Sequence, residues 1–112
     1  MGDLTPISGA QALHQSRKAA SEKVYLILDG STGCVKIGRS KDVGARFRTL
    51  QTSSPSKLEI LRVVEGGPAV EKWMHRRFSD YHHRGEWFHY CDDMATVQPP
   101  DEILKQIGRA HV

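Results

Sequence analysis

The chain has 112 residues with 16 Lys+Arg against 13 Asp+Glu, a net charge of +3, which suits one small domain with tails and excludes a two-domain enzyme. No apolar run approaches the ~20 residues of a membrane span, and residues 1–20 lack an apolar stretch behind a basic head, so neither a membrane partner nor a secretory signal is expected and the cytoplasm is the expected compartment. Cys34 and Cys91 are too few for a disulfide-stapled scaffold and show no CxxC metal spacing, which leaves free thiols as the expectation.

Residues 1–22 are expected to form an arm, because the stretch 8–21 is rich in Ala, Gln and Ser with few apolar anchors and reads as a frayed helix or disordered segment. At Val24 the pattern changes to Val-Tyr-Leu-Ile-Leu, then Asp29-Gly30-Ser31-Thr32-Gly33, then Cys-Val-Lys-Ile-Gly, which predicts a β-hairpin. Ser40 is placed to cap a helix over 41–50, with Val43, Phe47 and Leu50 on one stripe. Thr52 to Ser56, with Pro55, ends that helix, and 58–64 is β-branched enough for a third strand. Gly66-Gly67-Pro68 breaks the chain with proline at a first helical turn, and a second helix is expected over 69–82, its buried side marked by Val70, Met74, Arg77/Phe78 and Tyr81 with Trp73 flanking. Gly85 opens a short extended piece over 86–90, and Pro99-Pro100-Asp101-Glu102 starts a last short helix in a tail over 91–112. The fold expected is α+β: a small antiparallel sheet of about three strands with flanking helices, held in a domain over 23–90.

The basic excess lies in the middle of the chain, while the tail is net acidic. Lys36, Arg39, Lys41, Arg46 and Arg48 gather against Asp42 alone, and Lys72, Arg76, Arg77 and Arg84 form a second cluster; such clusters suit a polyanion or, equally, a solvated helix face. Strand alternation puts Val24, Leu26 and Leu28 on one face of the hairpin and Tyr25 with Lys36 on the other. With a four-residue loop over 29–32, Tyr25 and Lys36 are direct cross-strand neighbours, and a nearby cation favours a phenolate able to accept a proton. Arg46 lies beside the buried stripe of its helix, where it can point along the sheet, and Glu71 and His75 are four apart on one side of the second helix.

These residues resemble the GIY-YIG endonuclease superfamily, most closely its small phage and bacterial branch with Lys-Ile-Gly in the second motif. Lys23-Val24-Tyr25 stands where the first tripeptide belongs, and after ten residues Lys36-Ile37-Gly38 stands where the second belongs. Arg46 matches the family's phosphate-facing arginine, Glu71 its metal-binding glutamate, and His75 follows as in this branch. Gly85-Glu86-Trp87-Phe88 is similar to the branch's closing motif, whose aromatics are expected to pack on the sheet. The first tripeptide keeps only its tyrosine, and no asparagine occurs in the chain to fill the superfamily's late asparagine position.

The resemblance implies hydrolysis of a DNA phosphodiester with one Mg²⁺ or Mn²⁺. Tyr25 would take a proton from water, Lys36 hold it near phenolate, Arg46 clamp the phosphate, Glu71 bind the metal, and His75 serve as an auxiliary base or orient Glu71. Arg39, Lys41, Arg48 and Arg76 are the expected DNA contacts beyond the reacting phosphate, and a second copy or a protein partner the expected source of specificity. Three other readings stand beside it: a catalytically inactive DNA-binding module of the same fold; a zinc protein using His75, His82, His83, His89 and Cys91, whose spacings fit no standard pattern; and an adaptor using Trp73, Trp87 and Phe88, positions that serve a small core equally well.

Overall fold

The computed structural model describes residues 21–109, and side chains as far as residue 105. The expected N-terminal arm lies outside the described residues apart from its last two. Strands β1 (Lys23–Asp29) and β2 (Cys34–Ser40) form the hairpin, followed by helix α1 (Val43–Thr52), strand β3 (Leu58–Glu65), helix α2 (Gly67–Arg77), the short strands β4 (His82–Arg84) and β5 (Trp87–His89), and helix α3 (Asp101–Arg109). The strands make one five-stranded sheet in the order β3-β1-β2-β5-β4, every pairing antiparallel. Among the described residues no helix is long and apolar enough to cross a membrane.

The class α+β holds, but the expected strand count of about three does not: β4 and β5 extend the sheet to five. Each has three residues, too short for a period-two pattern to rise above its neighbours. The second helix, expected to run to residue 82, stops at Arg77 with Phe78 as its C-cap. A 3₁₀ turn over Ser79–Tyr81 then redirects the chain into β4, so Phe78 closes the core instead of continuing a helical face.

Helices cover both faces of the sheet's centre, which is why β1 buries four residues in succession, Val24, Tyr25, Leu26 and Ile27, instead of alternating. Val24 and Leu26 join Val35, Ile37, Val70, Met74, Phe78, Phe88 and Met94 in the core beneath α2. On the other face Tyr25, Ile27 and Leu58 pack against Val43, Phe47 and Leu50 of α1, the stripe anticipated from the helical spacing.

The hairpin register differs from expectation by two residues. The loop is 30–33, not 29–32, so Tyr25 faces Gly38 and Lys36 faces Ile27. Asp29 stays in the strand because its carboxylate accepts from the Ser31 N–H at 2.9 Å and the Ser31 hydroxyl at 2.8 Å, while Gly33 takes the positive φ (+74°) that ends the loop. The Ser31 hydroxyl, foremost, holds the Asp29 carboxyl below its usual range. A shift of two preserves the face, so Tyr25 and Lys36 still share one side, but as diagonal neighbours and not a direct pair.

The cap of α1 is also corrected. Asp42, not Ser40, is the N-cap, its Oδ1 accepting the Ala45 N–H at 3.0 Å, and the Ser40 hydroxyl instead accepts the Asp42 N–H at 3.0 Å. Asp42→Ala is expected to cost about 1 kcal/mol, read as a Tm lowered by several degrees, whereas a wild-type Tm would show that the cap contributes nothing.

Candidate functional site

Two clusters of polar side chains meet on the second half of β2, one from each face of the sheet. On the α1 face the Tyr25 ring lies across Gly38: a Cβ there would stand 2.5 Å from the Tyr25 hydroxyl and 2.7 Å from its Cζ. Only glycine lets a strand carry an aromatic ring this closely. Arg46, one residue before Phe47 of the half-buried stripe, donates from Nη1 to the Tyr25 hydroxyl at 3.3 Å. Tyr25 itself is fully buried.

Lys36 shares this face, but its partner is Glu86, with Nζ 3.0 Å from Oε1. The ammonium also sits 5.8 Å from the centroid of the Trp87 ring, a distance at which cation and ring attract. Glu86 comes from the β4–β5 turn, where Gly85 adopts φ +55°, and its carbonyl accepts the Ile37 N–H at 2.9 Å, pinning the turn to β2. Its Oε1 is 3.1 Å from the point a Gly38 Cβ would occupy, the same point the Tyr25 hydroxyl approaches. Tyr25 and Glu86 thus border one glycine, with Arg46 bonded to the first and Lys36 to the second.

On the α2 face, Glu71 and His75 look along the same side of their helix but have separate partners. Glu71 Oε1 accepts from Arg39 Nε at 3.0 Å, and Arg39 Nη1 donates to Glu22 Oε1 at 2.6 Å. Hydrogen bonds to Glu22 and then Glu71 hold the Arg39 guanidinium even more firmly protonated than usual. His75 Nε2 donates to the Ile37 carbonyl at 2.8 Å, and its ring packs 5.0 Å from that of Phe88. It bonds neither Tyr25 nor Glu71. An open groove of about 520 Å³ is lined here by Arg39, Glu71, Lys72, His75 and Arg76.

The structure therefore brings Tyr25 to Arg46, sets Lys36 on the same face, and anchors Glu71 and His75 to Arg39 and Ile37, the residues on either side of Gly38. β5 pairs only with Cys34, Val35 and Lys36, so among the described residues the edge of β2 beyond Ile37 carries no neighbouring strand. Lys41 and Arg48 are exposed near and on α1 and belong to neither cluster. Glu86 and Glu22 were missed by the sequence reading. Gly85-Glu86 signals a turn, but a turn's sequence does not say over which face its carboxylate falls.

The zinc arrangement is not assembled. Among the described residues no group of three or more His, Cys, Asp or Glu is placed to hold a metal ion unaided, and His75 and His82 both bond backbone carbonyls. Both cysteines are free, with Cys34 Sγ 3.8 Å from His89 Nδ1. Phe88 is core and Trp73 packs against that core, so two of the three aromatics named for an adaptor serve the fold, while half-buried Trp87 lies beside Lys36.

Comparison with curated proteins and with solved structures gives no match. A family model described as the T5orf172 domain matches residues 22–109, a span that takes in both clusters and every strand of the sheet. The chain belongs to the T5orf172 domain family.

Proposed function

We propose that the protein is a metal-dependent DNA endonuclease that hydrolyses phosphodiester bonds at a GIY-YIG-type site built around Gly38. The observation that carries the reading is the Arg46–Tyr25 contact over that glycine, which joins a phosphate-binding cation to a proton-accepting group. Hydrolysis needs a deprotonated water, neutralised charge on the five-coordinate phosphorus and a stabilised leaving 3′-oxygen. Tyr25, as phenolate, takes the water's proton; Arg46 binds the phosphate; Lys36 adds a second cation on the same face.

Glu71 fits the metal role. Its side chain is 15% exposed, Arg39 engages Oε1, and among the described residues no hydrogen bond reaches Oε2. A hard divalent cation takes oxygen ligands and keeps several waters, so one carboxylate with a substrate phosphate suffices. Bound there, Mg²⁺ or Mn²⁺ would supply positive charge to the leaving oxygen. His75, donating to the Ile37 carbonyl, fixes α2 against β2 and so fixes Glu71 one turn away.

Tyr25 is fully buried beneath Arg46, so the reading requires the guanidinium to pass from the hydroxyl to an arriving phosphate, uncovering the phenol. The same burial, with Arg39 neutralising Glu71, favours the second reading, a DNA-binding module without turnover. Nicking of supercoiled plasmid in Mg²⁺ or Mn²⁺ separates them: nicking that stops with chelator is expected, and binding without nicking would sink the endonuclease. Binding should fall with a log–log salt slope of about −0.9 per phosphate met, hence about −3 to −4 if Lys41, Arg46, Arg48 and Arg76 all engage. A flat salt dependence would remove DNA as the partner.

A further inference from the structure

We infer that Glu86 is a positioning residue of this site, holding the Lys36 ammonium beside the Tyr25–Gly38 pair; the inference rests on the endonuclease reading. Lys36 has a side chain only 17% exposed, and an ammonium so far withdrawn from water needs a counter-charge. Glu86 supplies it at 3.0 Å. Trp87, directly opposite Lys36 in the β2–β5 ladder, supplies the other wall.

Three backbone features aim this carboxylate. Gly85 turns the chain with φ +55°, the Ile37 N–H fixes the Glu86 carbonyl to β2, and Gly38 leaves vacant a volume that both Glu86 Oε1 and the Tyr25 hydroxyl border. A lysine otherwise has four rotatable carbons and many positions. Clamped between carboxylate and indole, it keeps one. Among the described residues Glu86 is its sole charged partner, and an ammonium has three donors, which leaves donors for a phosphate over Gly38. Glu86 is itself a poor phosphate neighbour, being anionic, so its contribution to the reaction runs through Lys36.

The test uses the full chain with Glu86→Ala and Glu86→Gln. Glu86 is 43% exposed in its side chain, so both variants are expected to fold, Glu86→Gln with the wild-type Tm and Glu86→Ala with a Tm lowered by at most a few degrees. Acetylation of Lys36, followed by peptide mass spectrometry with exposed Lys57 as reference, should speed up about two- to fivefold in Glu86→Ala, the worth of an ion pair of this exposure. Single-turnover nicking at saturating DNA should fall about 10- to 100-fold in the same variant through loss of orientation, while DNA affinity stays level or rises because an anion has gone. Glu86→Gln, whose amide oxygen still accepts from the ammonium, should recover part of the rate. Unchanged Lys36 acetylation in Glu86→Ala, or nicking at the wild-type rate, would overturn the inference. A wild-type chain that nicks nothing sinks the endonuclease reading instead, and acetylation still decides whether Glu86 holds Lys36.

Discussion

Glu71→Gln is expected to abolish plasmid nicking, by at least about 10³-fold under single-turnover conditions, while leaving DNA affinity level or slightly raised. The substitution is chosen for what it keeps. A glutamine oxygen still accepts from Arg39 Nε, the 3.0 Å contact that ties α2 to the end of β2, so the helix should hold its place and the Tm should move little. The Arg39 side chain is 40% exposed, and an ion pair of that kind contributes at most about 1 kcal/mol. What disappears is the negative charge on the oxygen left open beside the groove, and a neutral amide is a far weaker ligand for a hard cation. Because a carboxylate repels phosphate, a loss of turnover with undiminished binding separates a metal ligand from a DNA contact. Equal nicking by wild type and variant would remove Glu71 from the chemistry and point to a contaminating nuclease.

What the sequence makes legible is whatever repeats with a period. The α1 stripe of Val43, Phe47 and Leu50 shows itself at helical spacing and packs as expected. The hairpin strands are equally plain in composition, since β1 is covered on both faces and carries no charged residue from Val24 to Leu28. The features missed depend on single residues. Asp29 reads as a loop residue by type, yet its bonds to Ser31 keep it in the strand and move the register by two. His82 looks like the end of a helix until Phe78 is buried and the chain must turn. In the candidate site, alternation alone places Tyr25 and Lys36 on one face, and helical spacing alone aligns Glu71 with His75. Neither predicts a partner across the chain: Lys36 meets Glu86, fifty residues on, Glu71 meets Arg39, and His75 meets a backbone carbonyl. Periodicity identifies which side of an element a group occupies, and only the tertiary packing decides what faces it.

Gly38→Ala is expected to damage stability and activity together, lowering stability by about 1–3 kcal/mol through overpacking and nicking by at least about 100-fold through a displaced Tyr25. Gly38 does not have positive φ, so the backbone accepts alanine, and a Gly→Ala change at a compatible position stabilises by about 0.4–1 kcal/mol through the unfolded chain. Packing reverses that sign. The new Cβ would meet the Tyr25 hydroxyl at 2.5 Å and Cζ at 2.7 Å, well inside van der Waals contact, and the ring is rigid and buried among Ile27, Leu58 and the α1 stripe. It can yield only by lifting off β2, which takes the hydroxyl away from Arg46 and from the niche bordered by Glu86. Gly30→Ala is the control, since nothing lies within 4 Å of a Cβ there, and it should match wild type in Tm and nicking. Combining Tyr25→Phe with Gly38→Ala should restore part of the stability, because the nearest clashing atom is gone, but none of the activity. That non-additivity is the mark of two groups sharing one space. A Gly38→Ala protein with wild-type Tm and wild-type nicking would mean that the phenol does not lie across this strand, and the Tyr25–Arg46 arrangement would lose its footing with it.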